Sequence, residues 1–178
     1  MRSRGEKASA VSPDPLERAR AVFECGQAVL GELGAGLSEQ VLQSALAIEF
    51  RQRAIPYLRE PHIEIFYRGE AVGLERPDFA LWIAASGEEP RPGVLLEVKQ
   101  ADRILADHRQ QLLGYLRALP SNRDPRLTGI TTGLLLRFPK VDPFDAWEGI
   151  SPGAIELEVW SRDGATGVIT RRAVMPEA

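Results

Sequence analysis

The sequence predicts a single mixed α/β (α+β) domain, with a central mixed β-sheet flanked by helices and a β-hairpin appended at the C-terminus. Three observations predict it. Apolar residues recur at helical spacing through the first third of the chain and then switch to strict alternation. A lone amphipathic segment, 101–120, interrupts the later strands. The chain has 178 residues, 44% hydrophobic and 26% charged, which suffices for one domain with its own core.

Each element has a local reason. Residues 1–12 carry no periodic pattern and read as a disordered arm. "SPDPLERARAVFECGQAVLGELG" opens on capping candidates and an early proline, and Gly34 stops it. Leu16, Ala19, Val22, Phe23, Val29 and Leu33 give that helix its stripe. "GAGL" is a break, and "SEQVLQSALAIEFRQRA" is a second helix. "IPYLREPHIEIFYRGEAVG" alternates and predicts a hairpin turning at "YRGE". "LERPDFALWIAA" and "GVLLEVKQ" predict two more strands, separated by the loop "SGEEPRP". "ADRILADHRQQLLGYLRALP" predicts a helix ended by Pro120, and "LTGITTGLLLRFP" a strand. "GAIELEVWSRDGATGVITRRAV" predicts a closing hairpin, with Glu156 and Glu158 on its wet face. The main domain is thus expected over 13–140, with 141–178 a connector and hairpin packed on it.

Composition narrows the function classes. The net charge of −3 argues against a general nucleic-acid binder, but the acidic excess lies in residues 141–178. A near-neutral central region can still present a local basic groove to phosphates. The single cysteine, Cys25, excludes an intramolecular disulfide framework and a Cys-rich zinc site. It sits in a helical apolar pattern and reads as a buried thiol in a reducing compartment. The N-terminal stretch lacks the apolar run of a signal peptide, and no run is long enough to span a bilayer, so a cytoplasmic protein without a membrane partner is expected.

One constellation carries chemistry. In "GVLLEVKQ", alternation puts Glu97 and Lys99 on one face and Val98 on the other. Taken alone, an acid and a base two residues apart are a solvated pair on a sheet edge. Asp78, in "ERPDF", changes that reading, because neighbouring strands would bring Asp78 and Glu97 together at a strand end. Two carboxylates at one point repel unless a cation lies between them. Hard oxygen ligands of this kind suit Mg²⁺ or Mn²⁺, and the Val98 carbonyl could add another oxygen. Lys99 could place or help deprotonate an attacking water, or neutralise a phosphate. His108, Gln111 and Tyr115 share one helix face by spacing.

"RPDF" followed by "LLEVKQ" resembles the signature of the PD-(D/E)XK nuclease superfamily. The likeness extends to its bacterial GxxExxY proteins. "LGELGAGLSEQVLQSALAIEFRQRAIPYLRE", "LLEVKQADRILADHRQQLLGYL" and "GLLLRFPK" are similar to that family's opening, second half and closing strand. The resemblance covers roughly residues 16–140. It implies a restriction-endonuclease-like core and a metal-dependent nuclease. Asp78 and Glu97 would be metal ligands, Lys99 the catalytic lysine, and Glu39 a further site carboxylate or a direct ligand. Gln111 would contact a ligated water or phosphate, with His108 and Tyr115 lining the site. Leu42 departs from the pattern, because the family carries tyrosine there.

The function expected is therefore hydrolysis of nucleic-acid phosphodiester bonds, with DNA foremost as partner. The competing expectation is a non-catalytic module on the same scaffold, acting with a second copy or a protein partner. A small-molecule hydrolase finds no support, since neither a glycine-rich phosphate loop nor a G-x-S-x-G elbow occurs.

Overall fold

A computed structural model describes residues 15–82, 93–140 and 153–176. Two helices open the chain, α1 (Pro15–Leu33) and α2 (Glu39–Gln52). Five strands follow: β1 (Tyr57–Arg59), β2 (Ile63–Tyr67), β3 (Glu70–Glu75), β4 (Phe79–Leu81) and β5 (Val94–Gln100). Then come α3 (Ala106–Ala118), a short α4 (Pro125–Thr128), β6 (Thr132–Phe138), β7 (Glu156–Arg162) and β8 (Ile169–Met175). The arm at 1–12 and most of the expected connector, 141–152, lie outside the described residues.

Six strands form one sheet in the order β1-β4-β5-β6-β7-β8, and β2-β3 form a separate ribbon. Only β5 and β6 run parallel, and α3 lies in the crossover between them. The sheet is therefore mixed, with helices on both faces and the expected hairpin, β7-β8, at one edge.

Alternation along β5 sorts its side chains between two cores. Val94, Leu96 and Val98 pack with α1 and α2, together with Phe50, Phe79 and Leu136. Leu95 packs on the other face with Leu112, Tyr115 and Leu116 of α3. Gly133 lets α3 approach β6 closely: a Cβ there would stand 3.0 Å from Leu116 and 3.1 Å from Leu112. Phe50, Tyr57 and Phe79 join α2, β1 and β4, with ring centroids 5.3 to 5.9 Å apart.

Three local readings change. The segment 55–73 does not make one two-stranded hairpin. Tyr57–Arg59 leaves it to pair with β4, while 63–75 forms the ribbon that turns at Arg68 and Gly69. Residues 127–131 are not strand, because Asp124 caps α4 there, its side chain accepting the Arg126 amide. Glu158 is not on a wet face. It is fully buried and accepts three hydrogen bonds of 2.6 to 3.0 Å from the Arg109 guanidinium of α3. Trp160 Nε1 and Arg171 complete its shell at 3.0 and 3.2 Å. Arg109 is thereby committed to a structural pair.

Phe50 is the test of this packing. Phe50→Ala should cost about 3–5 kcal/mol of unfolding free energy, read by urea denaturation. A cost below about 1 kcal/mol would mean that the aromatic trio does not hold α2 against the sheet.

Candidate active site

The site forms where β4 begins and β5 ends. Their antiparallel register pairs Phe79 with Leu96 and Ala80 with Leu95. One step further, that register sets Asp78 opposite Glu97, and two steps further it sets Pro77 opposite Val98. Pro77 has no N–H to continue the ladder. Beyond that point a side-chain bond replaces the ladder: Asp78 Oδ2 accepts the Val98 amide at 2.6 Å. The aspartate thus terminates the strand pairing and turns its carboxylate toward β5.

The helix α2 supplies the next side. Gly36, with φ of +89°, adopts a conformation that glycine takes readily and turns the chain into α2. Glu39 lies in the first turn, and its Oε2 accepts the Gln100 amide at 3.1 Å. One turn on, Gln43 Nε2 donates to Asp78 Oδ1 at 2.7 Å. Leu42, where the resembled family carries tyrosine, is 1% exposed and belongs to the core. A polar link to the site therefore comes from position 43, a residue that the sequence reading passed over. Its signal was the i, i+4 spacing from Glu39.

Glu97 and Lys99 sit on one face of β5, as alternation requires. Glu97 is 2% exposed. Lys99 Nζ lies 2.7 Å from Glu97 Oε1 and 3.8 Å from Glu39 Oε1. Glu97 Oε2 is buried and accepts no hydrogen bond. Such an atom costs free energy unless something else occupies its lone pairs.

The electrostatics follow from burial. Burial pushes the Asp78 carboxyl up to about 6, against the pull of the Val98 amide and the Lys99 ammonium. Burial pushes Glu97 higher, to about 7, with the Asp78 charge adding to it and the Lys99 ammonium and the Asp78 backbone amide opposing. Burial alone would lower Lys99, but Glu97, Glu39 and Asp78 outweigh it and hold the ammonium above its ordinary value.

α3 closes the remaining side. His108 Nδ1 accepts the Leu105 amide at 3.3 Å, so the imidazole closes the first turn of the helix. Burial, then the Lys99 charge, hold His108 below its ordinary value. Tyr115 is buried close enough to Glu97 that burial and that charge both raise its hydroxyl pKa. Gln111 Nε2 donates to the Tyr115 hydroxyl at 2.7 Å rather than to a carboxylate. Gln111 and Tyr115 also line a groove of about 540 Å³ between α3 and the β2-β3 ribbon. The structure thus gathers Glu39, Asp78, Glu97, Lys99 and the Val98 backbone at one point. His108 and Tyr115 stand beside them, and Gln111 reaches them only through Tyr115.

A family model matches residues 17–148 and describes the PD-(D/E)XK nuclease superfamily. The chain belongs to the PD-(D/E)XK nuclease superfamily. No curated protein and no solved structure matches it. Pro77, Asp78, Glu97 and Lys99 fill the four letters of the superfamily's name, in order, and the fold brings their side of the sheet together. Members of this superfamily typically use divalent metals. Among the described residues no three Asp, Glu, His or Cys side chains stand close enough to enclose an ion as placed. The Lys99 ammonium is within 4 Å of both Glu97 and Glu39. The unsatisfied Glu97 Oε2 beside the Asp78 carboxylate is nonetheless a hard oxygen set of the kind Mg²⁺ or Mn²⁺ takes.

A stability consequence follows from Glu97. A carboxyl raised by burial holds its proton longer in the folded chain than in the unfolded one. The folded state therefore binds more protons between pH about 4.5, its ordinary value, and about 7. Stability contributed by the protonated form is full below that window and is lost as pH rises through it. Glu97→Gln should melt several degrees above the natural chain at pH 8 in metal-free buffer, with the gap closing toward pH 5. A gap that does not change with pH would remove burial of the charge as its cause.

Proposed function

We propose that the chain is a metal-dependent nuclease that hydrolyses phosphodiester bonds of nucleic acid, DNA foremost, as a member of the GxxExxY branch. The observation that carries the reading is the meeting of a buried carboxylate with an unsatisfied oxygen, Glu97, a half-buried one, Asp78, and a lysine ammonium at one strand end. Glu39 supports the GxxExxY assignment, since the acid of "GLSE" reaches the end of β5.

Asp78 and Glu97 would hold Mg²⁺ or Mn²⁺, with the Val98 carbonyl and Glu39 as further oxygens. A bound cation of this kind lowers the pKa of a water and offsets charge developing on phosphate. The chain's own residues supply the rest. Lys99, kept cationic by its acidic neighbours, would orient the attacking water and balance the phosphate charge rather than take a proton as a base. Glu39 holds the Gln100 amide and faces Lys99, so it fixes the end of β5 and the lysine together. His108, held near neutral form by burial and Lys99, can offer a hydrogen bond at the site's rim without adding charge. Tyr115 and Gln111 would present a polar edge to a strand entering the groove beside α3. DNA or RNA would be the partner, and no helix among the described residues is long and apolar enough to cross a membrane.

Purified protein with Mg²⁺ or Mn²⁺ should cut at least one of supercoiled, linear duplex, single-stranded or branched DNA. Lys99→Ala and Asp78→Ala should each lower the rate at least ~10³-fold while circular dichroism stays unchanged. No cut in any DNA or RNA substrate, together with nucleic-acid binding that survives loss of Asp78 and Glu97, would favour the non-catalytic module. The cation alone should raise the melting temperature of the natural chain, and more at pH 8 than at pH 5.5, because it competes with protons on Glu97 and Asp78. An equal rise in the Asp78→Ala variant would place the ion elsewhere.

A further inference from the structure

We propose that Gln43 is a positioning residue for the Asp78 carboxylate, and through it for the divalent cation; the inference rests on the metal-dependent reading above. Asp78 is gripped at both oxygens. The Val98 amide donates to Oδ2 at 2.6 Å and Gln43 Nε2 donates to Oδ1 at 2.7 Å. One anchor would leave the carboxylate plane free to rotate about the side-chain bonds, while two fix it. Each oxygen accepts one of these bonds and keeps lone-pair capacity for a cation.

The donor's chemistry matters as much as its place. Asp78, Glu97 and Glu39 already crowd three acids around one ammonium. An amide adds a donor without adding charge. A glutamate at 43 would add a fourth acid, and a methionine would keep the volume without the N–H. Gln43 lies one turn after Glu39, so a single face of α2 delivers both contacts to the strand ends, one to Gln100 and one to Asp78. The packing of Phe50 on Phe79, 5.3 Å between ring centroids, holds that helix beside β4. Partners that orient a ligand in this way are worth about 10–100-fold in metal affinity when removed.

The test is Mn²⁺ binding to the full chain, without nucleic acid, followed by electron paramagnetic resonance of the free ion. Gln43→Met should weaken Mn²⁺ binding about 10–100-fold with an unchanged melting temperature in metal-free buffer. Gln43→Ala, which suits a helix, should weaken it as much and serves if the methionine variant folds poorly. Gln40→Met, exposed on the same helix, should bind as the natural chain does. At saturating Mn²⁺ both Gln43 variants should recover most of kcat with KM for DNA unchanged. Mn²⁺ binding at natural strength in both variants would overturn the role of Gln43 and leave the site reading intact. Absence of Mn²⁺ binding in the natural chain would overturn both.

Discussion

The pairing of β4 with β5 is the constraint on which the rest depends. It is only three residues long, from Phe79–Leu96 to Leu81–Val94. Because side chains alternate, a slip of one residue would move Asp78 to the opposite face from Glu97. Both strands are buried on both faces along this stretch, so the register is held by packing rather than by the site itself. Pro77, which has no N–H to donate, then ends the ladder, and the Val98 amide donates to the Asp78 carboxylate instead of to a strand carbonyl.

The same burial makes the site costly. Glu97 is enclosed as tightly as the leucines before it, yet one of its oxygens has no hydrogen bond. Lys99 compensates in part, at 2.7 Å, and its ammonium is in turn shared with Glu39. The apolar run Val94–Leu96 offsets the cost by anchoring β5 between two hydrophobic cores. The charged end of β5 is thus held by an apolar beginning that packs on both faces. Buried charge of this kind is expected where function and stability compete.

A second buried acid is handled in the opposite way. Glu158 has a complete set of donors from Arg109, Trp160 and Arg171. Burial alone would raise its pKa, but those partners hold it below the ordinary value. Its role is to tie β7 to α3, and α3 carries His108, Gln111 and Tyr115. Two glutamates of similar burial are therefore told apart by their partners: one has donors on both oxygens, the other has an oxygen that accepts no hydrogen bond.

Much of this was legible in the residues. The change of period near residue 55 marks the passage from helices to strands, and alternation alone puts Glu97 and Lys99 on one face. The order of Asp78, Glu97 and Lys99 along the chain resembles the superfamily's signature without reference to the fold. Three things were not legible. Glu158 looked solvated because period two names a face but not what covers it, and only the tertiary packing brings Arg109 of α3 over it. The strand Tyr57–Arg59 looked like half of a hairpin because local pattern cannot choose between neighbouring partners. Gln43 carries no local signal that names its partner, which lies 35 positions away. What the sequence by itself determined is periodicity and residue chemistry, both local properties. Which buried polar group meets which partner was decided only by the tertiary structure, because hydrogen bonds act over about 3 Å in space regardless of distance along the chain.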